Sequence, residues 1–226
     1  MWSYYGSKSK IAKSYPSPIY DLVIEPFAGA AWYSVLHRRN DVLLNEKNRI
    51  IYDIWNWIIN EANPETIENH KDFYAGQNIN CIDLRKEHKD LIGFCINRGS
   101  VSPKNIVQKW SCQVKVKPDW ASTTNYQLSR IARLLPEIKH WQVQFDDYRN
   151  LPNIEVTWFI DPPYQFGGEH YVVSDIDYSE LANWCKERKG QVIVCENSNA
   201  DWLPFRELIK NAGQRKTTKE MLWTNE

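Results

Sequence analysis

The sequence predicts an α/β protein built on a mostly parallel sheet with helices on both faces. Three observations carry that expectation. Apolar runs of strand length alternate with helical patterns, the first run ends in a small-residue turn that opens a helix, and a later run ends in a carboxylate followed by two prolines. In order, residues 22–24 (Leu-Val-Ile) read as the first strand, 42–44 (Val-Leu-Leu) as the second, 141–145 as the third and 156–160 (Val-Thr-Trp-Phe-Ile) as the fourth. Two further strands are expected over 191–195 and 220–223. Helical patterns fall between them at 31–38, 48–60, 126–135, 178–188 and 202–211. Residues 61–125 break the rhythm with polar stretches and turn signals at Ala75-Gly76-Gln77-Asn78 and Arg98-Gly99-Ser100, and so read as an inserted helical and loop region.

Composition narrows the class. A chain of 226 residues is long enough to bury a sizeable core. Its 28 basic and 28 acidic residues balance, so attraction to a polyanion has to come from local segregation of charge. No apolar run reaches the length of about 18 residues that a membrane span needs, and the start, Met1-Trp2-Ser3-Tyr4-Tyr5, lacks the pattern of a secretory signal. Cysteines at 81, 95, 112, 185 and 195 are odd in number and widely spaced, which favours reduced thiols in a cytoplasmic protein over a zinc site or disulfide framework. Histidines at 37, 70, 88, 140 and 170 form no metal spacing. Gly6-Ser7-Lys8-Ser9 has neither the preceding strand nor the upstream glycine of a phosphate-binding loop.

Asp161-Pro162-Pro163-Tyr164 is the most informative stretch. The strand before it delivers a carboxylate to its own C-terminal edge, and the prolines remove two donors and leave carbonyls free to accept from a ligand. A carboxylate, a free carbonyl and an aromatic face in one rigid turn suit a flat heterocycle carrying an exocyclic amine. A strand end closed by a proline turn of purely structural purpose is the competing reading. The first strand runs into Glu25-Pro26-Phe27-Ala28-Gly29-Ala30-Ala31, whose small residues let a cofactor approach the backbone. Glu46, at the end of the second strand, has the position of an acid that hydrogen-bonds a ribose hydroxyl, although a carboxylate at a helix start also fits it. From 98 to 139 the basic residues Arg98, Lys104, Lys109, Lys115, Lys117, Arg130, Arg133 and Lys139 outnumber Asp119 and Glu137. Interleaved with Trp110, Trp120 and Tyr126, they make a candidate DNA face, or alternatively a solvated helical surface.

In this order the motifs resemble those of the Dam-type DNA adenine N6-methyltransferases. Tyr4-Tyr5-Gly6-Ser7-Lys8 is similar to that family's N-terminal element over the S-adenosylmethionine site, and Glu25-Pro26-Phe27-Ala28-Gly29 to its first cofactor motif. Asn45-Glu46 resembles its ribose motif, Asp161-Pro162-Pro163-Tyr164 its catalytic motif, and the segment Glu220-Met221-Leu222-Trp223-Thr224-Asn225 its last strand. Ala31 stands where the family has a second glycine, and Glu46 where aspartate is commoner.

The resemblance implies a Rossmann-like S-adenosylmethionine-dependent methyltransferase sheet. The catalytic domain would span residues 1–60 and 126–226, and 61–125 would form a mostly helical target-recognition region. It further implies catalysis by Asp161, Pro162, Pro163 and Tyr164, with cofactor contacts from Tyr4, Lys8, Glu25, Pro26, Phe27, Ala28, Gly29, Glu46, Asp147, Tyr148 and Asp161. From the basic segment, Arg98, Lys104, Lys109, Lys115 and Lys117 would hold DNA, and no metal is needed. Methylation of RNA adenine or of another amine, and a non-catalytic nucleic-acid-binding relative, are the alternatives.

Overall fold

The computed structural model describes residues 1–69, 73–97, 99–111, 124–212 and 217–225. Its main elements run β1 (Leu22–Glu25), α1 (Trp32–Leu36), β2 (Asp41–Glu46), α2 (Arg49–Asn60), α3 (Pro64–Glu68), α4 (Lys86–Cys95), α5 (Thr124–Ile138), β3 (Gln142–Phe145), β4 (Val156–Ile160), α6 (Tyr178–Glu187), β5 (Gly190–Asn197), β6 (Arg206–Ala212) and β7 (Thr217–Thr224). They fall into two compact units, one of Met1–Ser7 with Arg49–Trp141 and the other of Lys8–Asn48 with Gln142–Glu226.

The second unit holds a seven-stranded mixed sheet in the order β3-β2-β1-β4-β5-β7-β6. The first five strands in that order are parallel, with Leu22 opposite Asp41, Ile24 opposite Trp158 and Trp158 opposite Val192. Every residue of β4 is buried, the pattern of a strand covered on both faces. One face packs Trp158, Ile160, Val192 and Val194 against Leu181, Ala182, Trp184 and Cys185 of α6. On the other side the Phe159 ring stacks on Tyr33, centroids 4.0 Å apart, and meets the edge of Tyr15. Each fully buried Val, Leu, Ile or Phe among them contributes about 1.5–3 kcal/mol when removed from water. Asp177 starts α6 by accepting from the N–H groups of Ser179 and Glu180, which satisfies donors that the first turn leaves open.

The chain lays β1, β2 and β3 outward in one direction, then returns to place β4 and β5 on the other side of β1. The order therefore reverses between β1 and β4, the point where open α/β sheets bind ligands outside the carboxyl ends of their strands. Glu25 and Asp161 lie at the carboxyl ends of those two strands.

The expected helix over 202–211 is absent. Leu203, Phe205, Leu208 and Ile209 mimic helical spacing, but Pro204 interrupts it and antiparallel pairing with β7 makes this stretch the strand β6. The expected strand at 220–223 lies toward the C-terminal end of β7, which runs antiparallel between β5 and β6.

The other unit is helical. α2 buries Ile51, Ile54, Trp55, Trp57, Ile58 and Ile59, and Trp2 packs against both Trp55 and Phe94. Pro64 follows the cap residue Asn63, whose side chain accepts from Thr66 N at 2.7 Å to start α3. Two cations of the expected basic face have structural partners here. Lys139 Nζ donates to the carbonyls of Ile58, Ile59 and Ala62 where α2 ends, and buried Arg130 donates to the Met1 carbonyl. This unit takes in α2 and α5 as well as the 61–125 segment. No described helix is long and apolar enough to cross a membrane, and among the described residues no cluster of His, Cys, Asp or Glu could hold a metal ion.

Candidate functional site

The turn leaving β1 is shaped by backbone conformations that few residues adopt. Gly29 has φ of 47° and Ala31 φ of 46°, so two left-handed residues lie two apart. For glycine this carries no steric penalty, whereas Ala31 sustains a strain of about 1–2 kcal/mol because its Cβ crowds the carbonyl. Ala31 thus occupies a glycine's conformation at the position where the sequence departs from the resembled motif. The turn is tied to β2: Ala28 N donates to Asn45 O at 3.1 Å and Gly29 N to Glu46 Oε2 at 3.0 Å. Glu46 Oε1 accepts from Asn48 N at 2.8 Å. Partial burial raises the Glu46 carboxyl above its ordinary value, and these backbone N–H groups oppose the shift.

Beside them, Asn45 Nδ2 donates to the carbonyls of Pro26 and Asp146, which joins the first turn to the segment after β3. Phe27 lies against Tyr148, ring centroids 5.2 Å apart. Asp147 is saturated by Arg149 and Lys47, and these hydrogen bonds hold its carboxyl well below the usual carboxylate range. Of the residues expected around a cofactor, Pro26, Phe27, Ala28, Gly29, Glu46, Asp147 and Tyr148 thus form one neighbourhood. Tyr4 belongs to the helical unit, where its ring meets the edge of Phe94.

Glu25 faces inward. It is 2% exposed and its Oε1 accepts from Ser34 N at 2.9 Å, inside α1. Burial pushes its carboxyl up to about 8. Because the folded state then holds the proton more tightly than the unfolded chain, its contribution to stability falls as pH rises from about 4.5 to about 8. Glu25→Gln keeps an acceptor for Ser34 and has no proton to lose. Its stability relative to the parent is expected to rise by on the order of a few kcal/mol across that window. Urea unfolding at intervals of pH reads the difference, and parallel profiles would return Glu25 to an ordinary carboxyl.

Asp161 anchors a second, charged cluster. Lys8 Nζ lies 2.7 Å from Asp161 Oδ1 and 3.7 Å from Glu220 Oε1, and 4.6 Å from the centre of the Tyr164 ring. The same Glu220 oxygen accepts from Tyr15 Oη at 2.6 Å and from Tyr164 Oη at 2.5 Å. Burial works to discharge Lys8, but Asp161 and Glu220 outweigh it and hold the ammonium above its ordinary range. Burial raises the Asp161 carboxyl to about 6, with Lys8 pulling the other way. Lys8, expected among the cofactor residues, is therefore the counter-ion of the catalytic candidate.

The Pro-Pro turn is held from behind. Tyr178 Oη donates to Pro163 O at 2.8 Å, so one of the two carbonyls expected to stay open is taken, because the start of α6 reaches the turn. A Cβ on Gly168 would come within 3.0 Å of the Pro163 carbonyl carbon, so only a glycine packs there without displacing the turn. Gln165 N and Trp202 Nε1 both donate to buried Glu196 at the end of β5, each at 3.0 Å. Tyr164 presents one ring face to Lys8 and its hydroxyl to Glu220. Its use as a stacking platform thus depends on the other face or on movement of Lys8.

Glu220 and Tyr15 were not anticipated from the sequence. The available signal was a carboxylate inside an otherwise apolar run, Glu220-Met221-Leu222-Trp223, where an inward charge needs partners. Of the DNA-contact candidates, Lys104 and Lys109 are exposed on the helical unit, while Arg98, Lys115 and Lys117 lie outside the described residues.

No family model and no curated protein matches the chain. Among solved structures it is similar to a conserved hypothetical protein from Streptococcus pyogenes, at 12% identity over 91% of this chain and 86% of that one, with a TM-score of 0.36.

Proposed function

We propose that this chain transfers a methyl group from S-adenosylmethionine to an amine presented to Asp161, the exocyclic N6 amine of a flipped adenine in DNA. The observation that carries this reading is the position of Asp161. It is a mostly buried carboxylate at the carboxyl end of β4, beside the small-residue turn of β1 at the point where strand order reverses. The residues present fit an adenosyl sulfonium donor. The Ala28–Gly29 backbone offers close approach and Glu46, fixed by two N–H groups, keeps further lone pairs for a ribose diol. When bound, that cofactor would supply an electrophilic methyl group and leave as a neutral thioether, the methylated nitrogen then losing its surplus proton to water.

The chain's own task is to make a poor nucleophile competent. The lone pair of an adenine amine is delocalised into its ring. Accepting one N–H at Asp161 and the other at the Pro162 carbonyl draws the nitrogen toward tetrahedral geometry and exposes that lone pair. Such contacts strengthen as positive charge develops on nitrogen, which is how preorganised acceptors lower a barrier. An amine paired inside a duplex is out of reach, so the base must leave the stack, and Tyr164 is the aromatic beside its destination. Lys104 and Lys109 are cations for phosphate contact.

Incubation with labelled S-adenosylmethionine and duplex DNA, single-stranded DNA or RNA, followed by digestion to nucleosides, tests the proposal. N6-methyladenine from DNA is the expected product, methylated RNA adenosine would transfer the same chemistry to another polymer, and no methylated nucleoside from any of them would overturn the reading. Glu46→Ala is expected to weaken S-adenosylmethionine binding by about 1–3 kcal/mol through loss of a charge-assisted hydrogen bond. Unchanged affinity in calorimetry would remove Glu46 from the site.

A further inference from the structure

Glu220 comes from β7, the strand inserted antiparallel between β5 and β6, and lies 59 positions beyond Asp161 in sequence. It stands opposite Asn197 on β5 and Ile209 on β6. The β6–β7 ladder slips between Glu207 and Ile209, so a bulge lies across from Glu220 and its neighbour Met221, and bulges commonly re-aim a side chain beside a functional site. Its carboxylate, 8% exposed by residue, collects two tyrosine hydroxyls on one oxygen and has the Lys8 ammonium 3.7 Å away. A buried carboxylate costs free energy unless paired, and the cluster around it supplies that pairing.

The Lys8 ammonium is shared unequally between two carboxylates, 2.7 Å from Asp161 and 3.7 Å from Glu220. A substrate amine that donates to Asp161 competes with Lys8 for the same oxygens. An ammonium that loses its nearer carboxylate in this site is costly to keep, and beside Asp161 it would oppose the positive charge growing on the amine. Glu220 is 1 Å further away, within reach of a lysine rotamer change.

We propose that Glu220 is a positioning residue that receives the Lys8 ammonium when Asp161 engages the substrate amine, while its grip on the Tyr164 hydroxyl keeps the aromatic ring in place. The inference rests on the amine-methylation reading for its purpose, but the handover of Lys8 stands on geometry alone and is observable without turnover. Asp161→Asn imitates the state in which Asp161 no longer claims the ammonium. In protein labelled with nitrogen-15, the Lys8 ammonium signal, assigned by its loss in Lys8→Arg, is expected to persist in Asp161→Asn. It should be lost to rapid exchange in the Asp161→Asn, Glu220→Gln double variant. Loss of the signal already in Asp161→Asn would show that Glu220 does not hold Lys8 and would overturn the proposal.

The second arm is single-turnover methylation of duplex DNA. Glu220→Gln, which keeps the shape and removes the charge, is expected to lower the rate tenfold or more with S-adenosylmethionine affinity within threefold of the parent. A parental rate would also overturn the proposal. If the parent itself methylates nothing, the enzymatic reading fails, and the ammonium signal still decides the handover.

Discussion

Asp161→Ala is expected to lower the methylation rate by on the order of a hundredfold or more while leaving S-adenosylmethionine affinity within a few fold, the usual scale for losing one preorganised electrostatic contact. The side chain is an acceptor at the end of β4, outside the neighbourhood built from Phe27, Gly29, Glu46 and Tyr148, so the loss should fall on the chemical step. Alanine also removes the nearer counter-ion of Lys8, and Glu220 at 3.7 Å limits but does not abolish that effect. Asp161→Asn separates the two consequences, since it keeps volume and one acceptor while losing charge. Single-turnover methylation with cofactor titration reads both, and an alanine variant that methylates at the parental rate would end the assignment of Asp161.

Gly190→Ala is expected to destabilise the sheet unit by about 2–5 kcal/mol, from about 1–2 for a left-handed backbone and about 1–3 for forced overpacking. Gly190 has φ of 88°, and a Cβ there would meet Val156 O at 2.3 Å and Val156 N at 2.6 Å. The obstacle is backbone, which no rotamer change relieves. Since β4 pairs with β5 starting from Val156 and Gly190, the clash strikes the register that carries Asp161 to its strand end. Denaturant unfolding of the parent and variant measures the cost, and an unchanged midpoint would contradict the packing described.

The centre of the sheet is legible because β1, β4 and β5 are apolar and buried along nearly their whole length. Val156 to Ile160 contrasts sharply with its polar flanks, and the periodicity of 178–188 gave α6 almost to its ends. β6 is hidden in the sequence because Leu203, Phe205, Leu208 and Ile209 imitate helical spacing, and what makes it a strand is its partner β7 rather than its own residues. The site divides in the same way. Asp161, Pro162, Pro163 and Tyr164 are consecutive, so one window of sequence displays their chemistry. The ties of Tyr15 to Glu220, across 205 positions, and of Lys8 to Asp161 exist only once the sheet is assembled. Lys139 shows the converse: a cation that composition assigns to a DNA face serves instead to close a helix end.

The insertion of β7 also orders events during synthesis. A nascent chain that has reached residue 212 already contains β5 and β6, yet β6 has no neighbour to pair with and the outer edge of β5 is bare. An open edge of that kind invites pairing with other chains, and at about 5–20 residues per second the interval is long compared with strand collapse. β7 closes both gaps at once and brings Glu220 with it. Protection of the sheet and completion of the Lys8–Asp161–Glu220 cluster therefore coincide, and a ribosome-bound intermediate lacking β7 is at once exposed to holdase chaperones and without the assembled charge cluster.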